Sequence, residues 1–174
     1  MKIHKISSNL KEREKRRIWG VLKRSNLKIL GIDPGLKETG YGIIDENYKL
    51  IDFGIIKGKD FFEQIKKFEK IIGNKKIDFA FIEDVFSYKN PRLSLKLGEV
   101  RGAFIYLLKK RKIKVLSLTN SEIKRILTGN GRASKRQVQF MVSSFLSLRK
   151  NIPEHVSDAL ACAIAGFLNK ENVL

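Results

Sequence analysis

Asp33 and Glu83 each close a short apolar run, Lys28-Ile-Leu-Gly-Ile-Asp33 and Asp78-Phe-Ala-Phe-Ile-Glu83, and lie fifty residues apart. His155 and Asp158 stand at i and i+3 in a stretch that follows Pro153, a spacing that puts both side chains on one helix face. If that helix rests against the two strand ends, four ligands converge. An oxygen-rich cluster of this kind suits Mg²⁺ or Mn²⁺. Two such ions can flank a phosphodiester, one activating water and the other stabilising the leaving oxygen. Each residue also has a plainer reading. Asp33 before Pro34-Gly35 fits a turn, Glu83-Asp84 a solvated loop pair, and His155 an exposed first-turn residue. Asp158 is harder to dismiss, because a carboxylate among Val, Ala, Leu and Ile is costly unless it is satisfied. Asp45, Asp52 and Asp84 read as turn or sheet-edge charges. Gly31 and Gly35 flank Asp33 and are expected to let a substrate backbone approach closely.

The elements that must position these groups follow from periodicity. Lys28 to Asp33, Tyr41 to Asp45 and Leu50 to Lys57 read as strands in meander, the last two separated by Glu46-Asn-Tyr48. Asp60 caps a helix whose apolar face holds Phe61, Ile65, Phe68, Ile71 and Ile72. Asp78 to Glu83 is a fourth strand, and Pro91 opens a long amphipathic helix to about Arg111. Lys112 to Leu118 is a fifth strand. Thr119-Asn-Ser-Glu122 is a capping box for a helix to Leu127, ended by Gly129-Asn-Gly131. Helices over Ser134 to Leu148 and Pro153 to Leu168 complete the chain. This order predicts an α/β fold, a mixed five-stranded sheet with helices on both faces. Ligand sites in such sheets lie at the carboxyl ends of strands, where Asp33 and Glu83 sit.

Charge narrows the class of partner. The 174 residues carry 36 Lys+Arg against 18 Asp+Glu, a net charge of +18 that points to a polyanion, nucleic acid before membrane. One cysteine, Cys162, excludes a disulfide framework and a multi-cysteine zinc site, and reads as a small buried hydrophobe. No apolar run reaches the length of a membrane-spanning helix. Lys124, Arg125, Arg132, Lys135 and Arg136 crowd a glycine-broken loop between two helices, where they read as a phosphate clamp. Phe86 is either a core residue or an exposed ring for base stacking. The segment before Lys28 is a basic extension (1–27), ahead of the main domain (28–170). It reads as a disordered arm, as a short helix over Lys11 to Lys23, or as lying upstream of a true start near Val21 or Leu27.

Taken together, the motifs resemble one family. Ile29-Leu-Gly-Ile-Asp33-Pro-Gly35 with Thr39-Gly-Tyr-Gly-Ile43 looks like the opening of RuvC, the bacterial Holliday junction resolvase. Ile82-Glu83-Asp-Val-Phe86 with Lys89-Asn90 looks like its second motif, continued by Leu95-Lys-Leu-Gly98 and Arg101-Gly102. Lys124, the Gly129-Asn-Gly131 loop, Lys135 and Gln137-Val-Gln139 match its basic region, and His155-Val-Ser-Asp158-Ala-Leu-Ala161 its final acidic motif. The resemblance implies a ribonuclease-H-like fold and a cytoplasmic homodimer that nicks four-way DNA junctions symmetrically in recombination and repair, using Mg²⁺. It implies two ions per site, replaceable by Mn²⁺, held by the catalytic residues Asp33, Glu83, His155 and Asp158. It implies DNA contacts from Phe86, Lys124, Lys135, Arg101 and Arg132, and RuvA and RuvB as branch-migration partners.

His155 departs from the commonest pattern of that family, which has Asp. An imidazole removes one negative charge and titrates near pH ~6.5, so cleavage is expected to weaken on the acid side and to tolerate Mn²⁺. The alternatives are another ribonuclease-H-like nuclease, a DNA-binding module without activity, and a basic RNA-binding protein.

Overall fold

Strand β1 (Lys28–Asp33) is the centre of the molecule in the computed structural model, which describes residues 26–84, 90–149 and 152–169. Strands β2 (Glu38–Asp45), β3 (Leu50–Lys57), β4 (Phe79–Glu83) and β5 (Lys114–Leu118) complete a five-stranded sheet of order β3-β2-β1-β4-β5. β2 is antiparallel to both β1 and β3, whereas β4 is parallel to β1 and β5 is parallel to β4. The mixed sheet expected from the sequence is therefore the one observed. Helices α1 (Phe61–Ile72) and α2 (Pro91–Lys110) cover one face. Helices α3 (Asn120–Thr128), α4 (Lys135–Phe145) and α5 (Glu154–Leu168) cover the other.

Alternation along β1 divides the core between the two faces. Leu30 and Ile32 join Phe68 of α1 and Phe104 of α2, whose rings meet edge-on with centroids 5.0 Å apart. Such an aromatic pair adds about 0.5–1.5 kcal/mol beyond the area it buries. Ile29 faces the other way, with Phe81 of β4 and the alanine-rich α5. Helix α5 is buried along almost its whole length, so its small residues serve close approach rather than solubility.

That approach explains the glycines. A Cβ on Gly31 would lie 1.9 Å from the carbonyl oxygen of Ala159, and one on Gly40 would lie 1.9 Å from that of His155. Gly42 meets the Leu160 side chain and Gly166 the Phe81 ring in the same way. Gly31 thus makes room for α5, not for a substrate backbone as its place beside Asp33 suggested. Gly35 is likewise committed to a tight turn, since its Cβ would fall 2.1 Å from the carbonyl oxygen of Glu38.

Three boundaries differ from the sequence expectation by two residues or more. β2 starts at Glu38 rather than Tyr41. Thr39 and Gly40 belong to this strand, and Gly40 is where the α5 backbone touches it. β5 starts at Lys114 rather than Lys112, because Lys112 takes a left-handed conformation with φ 61° at the end of α2. α4 ends at Phe145 rather than Leu148, just before Ser147 at φ 52°. Caps were read correctly: Asp60 accepts from the Glu63 amide at 2.9 Å, and Thr119 and Glu122 form the reciprocal capping box. Cys162 is fully buried. Among the described residues, no helix is long and apolar enough to cross a membrane. The basic extension up to Ser25 and Phe86 lie outside the described residues.

Candidate active site

Register places the first two carboxylates together. Ile32 of β1 pairs with Ile82 of β4, so Asp33 and Glu83 are the next residues on adjacent parallel strands, which run about 4.8 Å apart. Residues two apart share a face of a strand. Gly31 and Asp33 therefore face α5 together, as do Phe81 and Glu83, because Gly31 and Phe81 both touch that helix. On α5, one turn of helix separates His155 from Asp158. The four residues singled out in the sequence thus meet at the carboxyl ends of β1 and β4.

The hydrogen bonds are specific. His155 Nδ1 lies 2.7 Å from Asp33 Oδ2, and its Nε2 lies 3.6 Å from Glu38 Oε1. Asn120 donates from Nδ2 to Glu83 Oε1 at 2.8 Å. The Lys135 ammonium stands 3.1 Å from Asp158 Oδ2 and also pairs with Glu154. Glu83, Asp158, Lys135, Lys124 and Asn120, with the apolar Ile123, Val138 and Ala161, line a cleft of about 230 Å³.

Positioning comes from behind. Thr39 and Gln64 are fully buried polar residues, with the Thr39 hydroxyl donating to Gln64 Oε1 at 2.6 Å. Gly35 N–H donates to Thr39 Oγ1, and Gln64 Nε2 donates to the carbonyls of Gly35 and Leu36. The turn that follows Asp33 is therefore held by buried hydrogen bonds, which are costly to leave unmade. Arg101 does a similar service at β4. It donates from Nε to the Glu83 carbonyl at 3.2 Å, and its guanidinium also contacts Ser117 and, at 3.1 Å, Asp84. This arginine, expected at the DNA surface, has its guanidinium turned to the strand ends. Asp45 holds its turn by accepting from the amides of Asn47 and Lys49, and Asp52 pairs with Lys75 at 2.7 Å, in keeping with their structural reading. Arg132 is exposed just beyond Gly129, whose left-handed φ of 77° ends α3.

Electrostatics mark the site as strained for anions. Burial pushes the Glu83 carboxyl up to about 7 against the Asn120 hydrogen bond, and the charges of Asp33 and Asp158 add to the rise. Burial also raises Asp33, outweighing its hydrogen bond to His155, with Asp158 contributing. Burial raises Asp158 despite Lys135. Burial alone would lower His155, but the Asp33 hydrogen bond and the charges of Asp33, Glu38 and Asp158 prevail and raise it. Perturbed carboxylates gathered at one place on a protein are a functional signature.

These groups suit a hard cation. Three carboxylates and one imidazole form an oxygen-rich donor set, and a cation would offset the burial, and the smaller mutual repulsion, that raise the carboxyl pKa values. As placed, no three His, Cys, Asp or Glu side chains among the described residues enclose a metal position. Asp33 Oδ2 and His155 Nδ1 meet each other instead, Glu83 Oε1 accepts from Asn120, and Asp158 Oδ2 faces the Lys135 ammonium.

Comparison with known proteins settles the family. Residues 29–166 match the sequence profile of the crossover junction endodeoxyribonuclease RuvC family. The chain belongs to the RuvC family. It is 36% identical over 155 residues to the RuvC of Ehrlichia canis, covering 84% of this chain and 99% of that protein. It is 42% identical over 146 residues to the RuvC of Citrifermentans bemidjiense, covering 78% and 89%. The solved structure of T. thermophilus RuvC in complex with Holliday junction substrate superposes with a TM-score of 0.76 at 24% identity, over 84% of this chain and 97% of that chain. The ribonuclease-H-like fold expected from the motifs is confirmed by that likeness. Among the described residues near the RuvC cleft, the sequence reading missed Glu38, Asn120 and Glu154. Asn120 was visible in principle, since it follows β5, and Leu118 at the end of β5 pairs with Glu83.

Proposed function

We infer that this chain is a metal-dependent endodeoxyribonuclease that resolves four-way DNA junctions in recombination and repair. The observation that carries the reading is the gathering of Asp33, Glu83, His155 and Asp158 at the strand ends, beside a cleft that Glu83 and Asp158 line with Lys124 and Lys135, within a chain of the RuvC family. Asp33, Glu83, His155 and Asp158 are the residues we assign to hold Mg²⁺, two ions per site, with Mn²⁺ able to substitute. When bound, the ions supply an activated water and stabilise the leaving oxygen of the phosphodiester. Lys124 and Lys135 bind the backbone phosphates at the cleft. Asn120 orients the Glu83 carboxylate, and Arg101 fixes the strand end that carries it. Phe86 stacks on a base, and Arg132 contacts the backbone from the loop after α3.

We further propose a homodimer, which suits a two-fold substrate. The outer face of α2 supports it: Leu95, Gly98, Gly102 and Tyr106 form one exposed stripe, with Leu95 70% and Tyr106 68% accessible. We place the enzyme in the cytoplasm with RuvA and RuvB as partners, residues 28–170 as the nuclease domain and 1–27 as a basic extension. The test is cleavage of a labelled four-way junction with and without Mg²⁺, beside a linear duplex. Paired nicks in the junction alone are expected, and Asp33→Asn should abolish them while junction binding persists. Equal cleavage of the linear duplex, or wild-type turnover by Asp33→Asn, overturns the reading.

A further inference from the structure

His155 stands between two carboxylates, and they ask opposite things of its ring. Asp33 Oδ2, 2.7 Å from Nδ1, favours a proton on Nδ1. Glu38 Oε1, 3.6 Å from Nε2, favours a proton on Nε2. Only the second tautomer leaves the Nδ1 lone pair free to face a cation shared with Asp33. We propose that Glu38 is a positioning residue for His155, accepting the Nε2–H so that Nδ1 is presented to the metal that Asp33 holds. The proposal rests on the metal-dependent activity inferred above.

The backbone puts Glu38 in place to do this. It opens β2 and shares a strand face with Gly40, two residues on. Gly40 is where α5 touches the sheet, because its Cβ would lie 1.9 Å from the His155 carbonyl oxygen and 3.0 Å from the His155 Cβ. The Glu38 side chain therefore rises beside the His155 ring on the α5 face. At 3.6 Å the contact is longer than a hydrogen bond, and it must shorten for Glu38 to accept the Nε2–H. Glu38 also pairs with Lys57 at 3.4 Å, an exposed partner across the β2–β3 pair. A carboxylate behind a ligating imidazole is a general device for fixing the tautomer, and losing it typically weakens metal binding about 10–100-fold. A residue that ligates by carboxylate would need no such partner, so Glu38 matters only because position 155 is His.

The proposal is tested on metal-free and Mn²⁺-titrated protein, without reference to cleavage. Nitrogen-15 chemical shifts of His155, recorded at high pH where the ring is neutral, report the tautomer directly. Glu38→Ala is expected to lower the Nε2–H fraction relative to wild type and to weaken Mn²⁺ binding about tenfold by calorimetry. Glu38→Gln, whose amide oxygen still accepts, should recover most of both. In a His155→Asp background Glu38→Ala should leave Mn²⁺ affinity within about twofold. Lys57→Ala, which removes only the strand pair, should leave the tautomer as in wild type. An unchanged tautomer in Glu38→Ala overturns the proposal. So does an equal loss of Mn²⁺ affinity in the Asp background, or a Lys57→Ala protein that behaves like Glu38→Ala. A chain that fails to cut junctions but shows the tautomer shift would refute the proposed activity and keep this contact.

Discussion

Nδ1 of His155 lies 2.7 Å from Oδ2 of Asp33, joining the first turn of α5 to the end of β1 across 122 residues of chain. The pair sets a pH dependence for cleavage. Burial pulls the imidazole's pKa down, but the hydrogen bond and charge of Asp33, aided by Glu38 and Asp158, hold it above its ordinary value. Below that pKa the ring keeps its proton and offers no lone pair to a cation. Activity should then fall on the acid side toward about tenfold per pH unit. His155→Asp lacks this limb, so the ratio of wild-type to variant nicking rates should drop several-fold between pH 8 and pH 6. A ratio that stays constant over that span would sink the assignment.

Lys124 and Lys135 flank the cleft differently. Lys135 is engaged by Asp158 and Glu154, and its pairing with both acids outweighs burial to raise its pKa. Lys124 lines the cleft on α3, one turn from Asn120. Lys124→Ala should weaken junction binding and lower the log–log salt slope by about one unit, the contribution of one released counterion. Gel-shift titrations at several salt concentrations measure it, and an unchanged slope removes Lys124 from the phosphate contacts.

Much of this arrangement was legible in the sequence, for identifiable reasons. Asp33 and Glu83 end apolar runs of strand length, and His155 and Asp158 share a helix face, so local pattern brought all four forward as candidates and the family resemblance chose between their readings. Cross-chain relations were less visible. Gly31 and Gly35 read as freedom for a substrate backbone, because no local signal says that a helix backbone fills the space at one and a tight turn at the other. Arg101 came forward only through the resemblance, as a DNA contact; its partners Glu83 and Asp84 at the end of β4 and Ser117 of β5 are brought beside it by the fold. Glu38 gave no signal at all, since its role depends on a ring 117 positions away in the sequence.

The stripe on α2 makes the proposed dimer testable. Gly98 and Gly102 have nothing within 4 Å of a Cβ position, and Leu95 and Tyr106 extend the same outward face. The exposed leucine and tyrosine on this helix face are available to the second copy of the proposed dimer. Leu95→Glu combined with Tyr106→Glu should shift sedimentation from dimer to monomer with little change in thermal stability of the subunit, because neither side chain is in the core. The doubly substituted protein should then lose paired nicking. Retention of the dimer would move the interface elsewhere.

Glu83 links function to stability through its raised pKa of about 7 against an ordinary value of 4.5. The folded carboxyl keeps its proton after the unfolded one has lost it, so between pH 4.5 and 7 the native state binds more protons. Stability therefore falls as pH rises through that window, and above it the buried anion costs on the order of 3 kcal/mol. Glu83→Gln keeps the acceptor for Asn120 and removes the charge. In the presence of a chelator at pH 8 it should melt roughly 5 °C or more above wild type, and the gap should close as the pH is lowered to about 4.5. Mg²⁺ should stabilise the wild type and leave the variant nearly unmoved, because the cation binds the native site and the carboxylate is its ligand. A variant that melts with the wild type at pH 8 would show that the cleft does not penalise the Glu83 charge. The same substitution should end cleavage, since the anion that costs stability is the group the cation needs.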